Sequence, residues 1–159
     1  MKRPFWLDAN TLIEAKRRWY RFHLVPTFWR LIERRIEAGE IRSCKQVYDE
    51  WCKGGDDLAG WVKRWKPSLS IGVDEEIQVA LRRLADHVAD SYAPRQAEEF
   101  LNGADSWLIA FAMALGGTVV TAELNKRKGK IRVPIICKEF NVPFTDVPGM
   151  IDDFNEPLA

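Results

Sequence analysis

Short apolar runs alternate along the chain with longer segments in which apolar residues recur at helical spacing. Residues 4–7 form the first apolar run and end at a polar turn, residues 8–10, which is the pattern of a strand followed by a loop. Residues 118–121 are β-branched throughout and follow a pair of glycines, so they predict a second, buried strand. Shorter strands are predicted at residues 40–42 and 142–147.

Helical spacing fills most of the chain between these strands. Ser43 and Gln46 have the spacing of a capping box, which predicts that Ser43 caps the helix that follows. Residues 106–115 are apolar nearly all round, which is typical of a buried helix. The predicted helices cover residues 11–20, 26–38, 43–53, 56–65, 106–115 and 134–141, with one further helix starting at residue 74 and another after residue 94.

The alternation of strands with helices predicts an α/β fold. We expect a three-layer sandwich with a short, mainly parallel β-sheet at its centre. The extra helices at about residues 56–103 are expected to form an insertion or lid that packs on this sheet.

Composition narrows the class of protein. A chain of 159 residues, of which 47% are hydrophobic and 30% charged, predicts one globular domain spanning residues 1–159. No apolar stretch approaches the roughly 20 residues that a membrane helix needs. Asp8 interrupts any signal-peptide core, so we expect a cytoplasmic protein. The three cysteines include no CxxC pair, which argues against a disulfide framework or a zinc ribbon.

The distribution of charge is more informative than the net charge, which is only +1. Residues 1–35 contain nine Lys or Arg and three Asp or Glu, and a second basic cluster spans residues 126–132. Basic islands of this kind contact phosphates in nucleic-acid-binding proteins, and they also occur as plain solvated surface. Each island alone therefore leaves both interpretations open, and the pair Arg17-Arg18 fits either RNA or an acidic protein partner.

Four acidic residues are predicted to meet at one edge of the sheet. Ligands of an open parallel sheet bind outside the carboxyl ends of the strands. Asp8 follows the first strand, and Glu123 lies two residues past the strand at 118–121. Asp105 occupies the first turn of the buried helix, where the helix dipole favours a negative charge. Glu50 lies on the second turn of its helix, from which a long side chain can reach the same edge.

Such a cluster needs a cation, because neighbouring carboxylates repel and raise one another's pKa. Mg²⁺ and Mn²⁺ are hard cations that prefer oxygen ligands, and a bound metal can activate water and clamp a phosphodiester. Lys126, Arg127 and Lys128 closely follow Glu123, so this basic cluster is the one expected to contact a substrate phosphate. The chain has 23 acidic residues, however, and Asp8 and Asp105 serve equally well as helix caps, so the pattern alone leaves the site open.

Four segments of the chain resemble PIN domains, in the same order. Residues 5–13 resemble their opening strand, Asp and polar turn, and residues 47–51 resemble their helix with a single Glu. Residues 104–110 resemble the Asp-x-x-Ile-Ala helix start, and residues 119–123 resemble the strand that ends in Thr-x-Asp. The chain looks most like the DUF4411-type PIN-like subgroup, whose relatives include VapC-like toxins of toxin–antitoxin pairs.

The resemblance implies a Mg²⁺- or Mn²⁺-dependent endoribonuclease that acts as a toxin. It implies that Asn10 and Thr121 help to hold carboxylates, waters or phosphate. It also implies an RNA substrate, a separately encoded antitoxin and a homodimer. The last metal position is more often Asp in the wider family, so Glu123 departs from the pattern. The residues that would form the metal-binding quartet are Asp8, Glu50, Asp105 and Glu123.

Two other functions remain open at this stage. A PIN-like fold without catalysis would serve as an RNA-binding or protein-interaction module; Asp8, Glu50 and Asp105 argue against it, whereas Glu123 leaves it open. A different Mg²⁺-dependent phosphoryl-transfer enzyme, such as a haloacid-dehalogenase-like phosphatase, would need Asp-x-Asp after the first strand, and residues 8–10 read Asp-Ala-Asn. A nucleotide-binding enzyme would need a glycine-rich phosphate loop, and the sequence has none.

Overall fold

The computed structural model describes residues 3–122 and 130–156, with only the backbone of residue 19. Its described strands form one sheet in the order β2-β1-β3-β4, and every neighbouring pair is parallel. The predicted mainly parallel sheet is therefore confirmed. The strands are β1 (Phe5–Leu7), β2 (Ile41–Arg42), β3 (Thr118–Val120) and β4 (Phe144–Thr145).

Helices make up most of the described chain. A π-helical segment, Ala15–Trp19, continues the first helix without a break. The α-helices are α1 (Ala9–Glu14), α2 (Pro26–Glu37), α3 (Lys45–Lys53), α4 (Asp57–Arg64), α5 (Lys66–Leu69), α6 (Glu75–Ser91), α7 (Pro94–Asn102), α8 (Ala104–Leu115), α9 (Val133–Glu139) and α10 (Val147–Phe154).

The predicted three layers can be seen at β1. Successive residues of a strand point to opposite faces of the sheet. Phe5 packs edge-on against Phe154 of α10, with ring centroids 5.3 Å apart. The next residue, Trp6, packs against Phe111 of α8 at 5.5 Å. Helices α10 and α8 therefore cover opposite faces of the sheet.

Most helices of residues 56–103 pack on other helices, and α5 contacts the sheet at β2. Helix α8 packs on β1 and β3, and α6 packs extensively along α8, with α7 beside both. Helix α4 packs on α3. Because α8 is apolar nearly all round, it needs a partner on its outer side as well, and α6 supplies one through Ile77, Leu84 and Val88. The predicted packing on the sheet is thus corrected for α4, α6 and α7, which pack mainly on α3 and α8, and it holds for α5 at β2.

The strand predicted at residues 142–147 is wrong in its second half. Strand β4 ends at Thr145, and α10 begins two residues later. Asp146 caps α10 because its carboxylate accepts a hydrogen bond from Gly149 N at 2.8 Å. Pro148 lies in the first turn, where its missing N–H costs nothing. These capping residues end the strand.

The capping box predicted at Ser43 is also wrong. Cys44 is the N-cap of α3, and its side chain makes no capping hydrogen bond. Ser43 is fully buried and instead continues the extended chain: its hydroxyl donates to Leu7 O at 2.7 Å. Its N–H donates to Ser68 O, and its own carbonyl accepts from Ile71 N. These strand-like bonds hold Ser43 in the layer of the sheet, so it cannot turn into the helix.

Two expectations from composition can be compared with the structure. All three cysteines are free, with Cys44 and Cys137 buried and Cys52 half-buried, as expected of a chain without a disulfide framework. Over residues 3–122 and 130–156, no helix combines the length and the apolar character that crossing a bilayer requires.

Candidate active site at the carboxyl edge of the sheet

Asp8 is fixed at the carboxyl edge, between β1 and β3. Its N–H donates to Val120 O at 3.0 Å, so the β1–β3 pairing extends one residue past β1. Its carboxylate caps α1 by accepting from Thr11 N at 2.9 Å, and Thr11 Oγ1 donates to Asp8 O at 2.7 Å. The residue is only 2% exposed. The predicted polar turn at residues 8–10 is therefore the beginning of α1, and Asp8 is its N-cap.

Asp105 lies in the first turn of α8 and is half-buried. The charges of Asp105 and Asp8 both act on one thiol, that of Cys137 in α9. Burial raises the pKa of Cys137 to about 12, and the negative charges of Asp105 and Asp8 add to this. Asp105 also adds to the effect of burial that raises the pKa of Cys44 to about 11. Two of the predicted ligands, from distant segments, are thus within electrostatic range of the same thiol.

Glu50 lies on the second turn of α3, as predicted, and its side chain is exposed. The protein atoms around its carboxylate nevertheless raise its pKa, and the charge of Lys53 offsets this only in part. The neighbouring Trp51 is buried, and its Nε1 donates to Ala9 O at 2.8 Å. This bond holds α3 against the first turn of α1, and Glu50 follows on the neighbouring, exposed face of α3.

Thr121 and Asn10 frame Asp8 on two sides. Leu7 pairs with Val120 across the sheet, so Thr121 lies beside Asp8 one residue further on. Thr121 is fully buried, and its N–H donates to Thr145 O at 2.9 Å. Asn10, in the first turn of α1, is exposed. The edge therefore presents a buried hydroxyl residue next to Asp8 and an exposed amide above it.

A cavity of about 160 Å³ opens between the first turns of α1 and α8. Asp105 and Asn10 lie in its wall, and α7 forms the opposite side. Lys130, from the predicted basic cluster, closes one end by pairing with Glu99 of α7 at 3.2 Å. The remaining polar and aromatic wall comes from Gln96 and Phe100 of α7. Part of the helical stretch at residues 56–103 therefore contributes directly to this edge.

The structure describes only part of the predicted site. Glu123, Lys126, Arg127 and Lys128 lie outside the described residues. Within residues 3–122 and 130–156, no three His, Cys, Asp or Glu side chains are grouped closely enough to hold a metal ion. The structure describes three members of the predicted quartet, Asp8, Glu50 and Asp105, and they do not form such a group.

The sequence did not single out three kinds of residue at this edge. The thiol of Cys137 is affected by the charges of both aspartates, and Gln96 and Phe100 line the cavity. Asp146 directly follows β4, and because Val120 pairs with Thr145, Asp146 lies beside Thr121. Like Asp8, Asp146 is an acidic residue at the carboxyl end of a parallel strand. The predicted strand at residues 142–147 runs past it, so the sequence pattern does not mark it. No local pattern marks Cys137.

Comparisons with known proteins agree with the architecture. No curated protein matches the sequence. Among solved structures, a chain from the crystal structure of VapBC2 of Rickettsia felis, bound to a DNA fragment from their promoter, matches with a TM-score of 0.55. The two chains are 14% identical, and the match covers 89% of this chain and 97% of that one. At this identity the match concerns the fold, and it confirms the predicted PIN-like fold.

The family model gives the more direct assignment. The model of DUF4411, a domain of unknown function, matches residues 5–156. This range includes every described strand and helix, from β1 to α10. The chain therefore belongs to the DUF4411 family and has a PIN-like fold related to that of VapC.

Proposed function

We propose that this chain is a Mg²⁺- or Mn²⁺-dependent endoribonuclease that hydrolyses RNA phosphodiester bonds at the carboxyl edge of the sheet. The observation that carries the proposal is geometric: the first turns of α1 and α8 meet at one cavity, with Asp8 capping α1 and Asp105 in the cavity wall. Glu50 and Glu123 complete the acidic set in this proposal. Ligands of parallel sheets bind at this edge, at the carboxyl ends of the strands.

The donor set suits a hard divalent cation. Mg²⁺ commonly keeps several of its waters and is held by one or two carboxylates together with substrate phosphates. A pair of aspartates beside an open cavity meets that requirement without a full cage of protein ligands. Capping α1 does not by itself prevent Asp8 from binding a cation, because Thr11 N bonds to Oδ1 and a carboxylate has about four acceptor positions on its two oxygens.

Each residue of the edge then has a defined task. Asp8 and Asp105 would hold the cation, and the cap that Asp8 makes on α1 fixes the direction of its carboxylate. When bound, the cation would supply an activated water and positive charge at the phosphodiester. Asn10 is placed to donate an amide N–H to a phosphate oxygen, and Thr121 supports Asp8 from the neighbouring strand. Lys126, Arg127 and Lys128 are proposed to contact the phosphates that flank the cleaved bond.

The proposal extends to a protein partner. The structural match is a chain of VapBC2, and by its PIN-like fold the present chain is a candidate toxin of a toxin–antitoxin pair. A separately encoded antitoxin would bind the folded protein and suppress its activity. Co-expression with the product of the adjacent gene, followed by copurification and an RNA cleavage assay, tests this part; no copurified protein and no inhibition would contradict it.

Cleavage of a mixed cellular RNA pool tests the catalytic proposal. Purified protein is incubated with Mn²⁺, Mg²⁺ or EDTA, and we expect cutting only with metal. Asp8→Asn and Asp105→Asn should each slow cleavage by about 100-fold or more, which corresponds to about 3 kcal/mol of transition-state stabilisation. Asp86→Asn is the matched control, because it makes the same change at an exposed site on α6 and should cleave normally.

Intact RNA under every metal condition, from protein that is folded, would overturn the catalytic proposal. The chain would then be better described as a PIN-like module that binds RNA or protein without cutting. Cleavage that survives both Asp8→Asn and Asp105→Asn would place the activity elsewhere or in a contaminant. The cleavage rates of Glu50→Gln and Glu123→Gln, measured in the same assay, show how much each of the two remaining carboxylates contributes to activity.

A further inference from the structure

A second and larger cavity, of about 340 Å³, lies at the far end of the helix that Asp8 begins. The π-helical segment after α1 forms one wall through Lys16 and Arg17, and the turn that follows contributes Arg21 and His23. Asp57 at the start of α4 and the ring of Phe22 complete the lining. Four of the six lining side chains are thus basic.

The basic side chains of this cavity differ in whether they already form ion pairs. Lys16 is paired with Asp56 at 2.8 Å and with Asp57, so its charge is already balanced. Arg17, Arg21 and His23 are exposed, and within the part of the chain that the structure describes they form no ion pair. The cavity therefore presents uncompensated positive charge to solvent.

The walls of the cavity are held in place before any ligand arrives. The ring of Phe22 stacks on Trp29 of α2, with centroids 4.1 Å apart. Trp29 Nε1 donates to Tyr20 O at 2.6 Å, which fixes the start of the same turn. Arg21 O accepts hydrogen bonds from Leu24 N and Val25 N at 3.0 and 2.9 Å. The backbone that carries Arg21 and His23 is therefore preorganised, which lowers the entropic cost of binding a ligand there.

We propose that Arg17, Arg21 and His23 bind phosphates of the RNA strand, a few nucleotides away from the bond that is cut. This inference rests on the proposed function, since it assigns a second contact to the same substrate. Helix α1 and the π-helical segment run continuously from the Asp8 cap, so Arg17 lies roughly 13 Å along their axis from Asp8 at about 1.5 Å per residue. A single strand that crosses the carboxyl edge and follows α1 reaches this cavity.

The chemistry favours phosphate over a base-specific contact. Arginine side chains present forked donors that match two phosphate oxygens. Contacts of this type hold the register of a nucleic acid without reading its sequence. Phe22 is committed to its stack on Trp29 and so is a wall rather than a platform for a base. The cavity should therefore contribute equally to the binding of any RNA sequence.

Salt-dependent RNA binding tests the inference without requiring catalysis. A labelled single-stranded RNA is titrated with wild-type protein in EDTA, so that nothing is cut, and again with the double variant Arg17→Gln/Arg21→Gln. Each phosphate contact contributes about 0.7 to the slope of log affinity against log salt for a single strand. We expect the double variant to lower the slope by about 1.4, so that its affinity falls about 7-fold less than that of wild type between about 50 and about 200 mM salt.

Arg82→Gln/Arg83→Gln is the matched control. These arginines are exposed on α6, and their replacement removes the same two charges far from the cavity. An unchanged slope in the control together with the reduced slope in Arg17→Gln/Arg21→Gln supports the inference. Equal slopes in wild type and both variants would overturn it, and would leave an acidic protein as the ligand of this cavity.

The two proposals fail in different ways. If wild type does not cleave RNA with metal, the nuclease proposal is contradicted. If Arg17→Gln/Arg21→Gln leaves the slope of log affinity against log salt unchanged, only the phosphate contact is contradicted. Thermal unfolding of each variant serves as the folding control. Because Arg17 and Arg21 are exposed and make no ion pair within the described chain, the midpoint should match that of wild type.

Discussion

The two edges of the sheet use charge in opposite ways. At the amino edge, Arg35 of α2 pairs with Glu40 at 2.7 Å and with Glu156 at 3.5 Å, and it lies 4.4 Å above the ring of Phe154. Here each acidic side chain faces an arginine. At the carboxyl edge, Asp8 and Asp105 come from distant segments and act on the same buried thiol.

Charged residues at the amino edge stabilise the fold, whereas those at the carboxyl edge are proposed to take part in catalysis. Ion pairs at the amino edge lie where β1 and β2 begin, and they tie α2 and α10 to the sheet. At the carboxyl edge, Asp8 caps α1, and Asp8 and Asp105 are the residues proposed to bind the cation. Residues kept for activity need not favour stability, since activity and stability often conflict.

The largest effect on stability is expected at the amino edge, at Gly117. This residue has φ +113°, and a Cβ there would lie 2.2 Å from Pro4 O and 2.9 Å from Trp6 Nε1. Gly117→Ala should therefore lower the free energy of unfolding by about 3 kcal/mol or more. Gly60→Ala is the control: it lies in α4 with open space around the new methyl and should stabilise by about 0.5–1 kcal/mol. Urea unfolding measures both, and a neutral Gly117→Ala would show that β1 and β3 can separate.

The next effect is expected from metal at the carboxyl edge. A cation that binds only the folded protein adds about 2.7 kcal/mol at 100 times its Kd. For a chain of this size, Mn²⁺ should thus raise the Tm by about 5–10 °C. Asp105→Asn should abolish the increase, while Glu40→Gln should keep it. An equal increase in Asp105→Asn would show that the metal binds elsewhere.

A single carboxylate-to-amide change should distinguish the two edges directly. Glu40→Gln breaks a half-buried ion pair and should cost about 1 kcal/mol. Without metal, Asp8→Asn should change stability by less than about 0.5 kcal/mol, because Asn caps helices as well as Asp does. Asp8→Ala, which removes the cap, should cost about 1 kcal/mol. Urea unfolding in EDTA gives the three values; a large loss in Asp8→Asn would mean that its charge holds the fold.

The smallest effect concerns pH. Burial alone would raise the pKa of Glu139, but hydrogen bonds from Tyr92 and His87, and the charge of His87, bring its pKa below the usual value. A carboxylate with a lowered folded pKa stabilises the protein above its unfolded pKa, and this stability is lost as pH falls through the folded pKa. The advantage of wild type over Glu139→Gln should therefore shrink between about pH 5 and about pH 2.

Chemical unfolding across that pH range measures the difference. Glu37→Gln serves as the control, because Glu37 is exposed on α2 and forms no ion pair within the described chain. If the difference in free energy of unfolding between wild type and Glu139→Gln stays constant across this pH range, the hydrogen bonds of Glu139 do not depend on its charge.

The sequence predicted the sheet and the position of Asp8 and Asp105 because these depend on local patterns. Strand β1 is a short apolar run ended by Asp8, and α8 is an apolar helix that starts beside Asp105. The sequence pattern does not predict helix α10, because residues 142–147 suit a strand. Only the cap at Asp146 ends the strand and begins the helix. Ser43 was misplaced because its burial beside Leu7 is a tertiary contact.

The two cavities depend still more on long-range contacts. Phe100 lines the same cavity as Asp105 only because α7 packs against α8. The basic cavity requires the stack of Phe22 on Trp29, which joins two segments that periodicity treats as unrelated. Local propensity carries no information about such pairings.

A single substitution at Asp8 could produce a folded protein without activity. Its carboxylate both caps α1 and is proposed to bind the metal, and only the second task requires a negative charge. The codons for Asp and Asn differ by one base, so a single mutation would remove activity while the molecule stayed intact. Such a molecule would keep its surface and continue to occupy any neutralising partner.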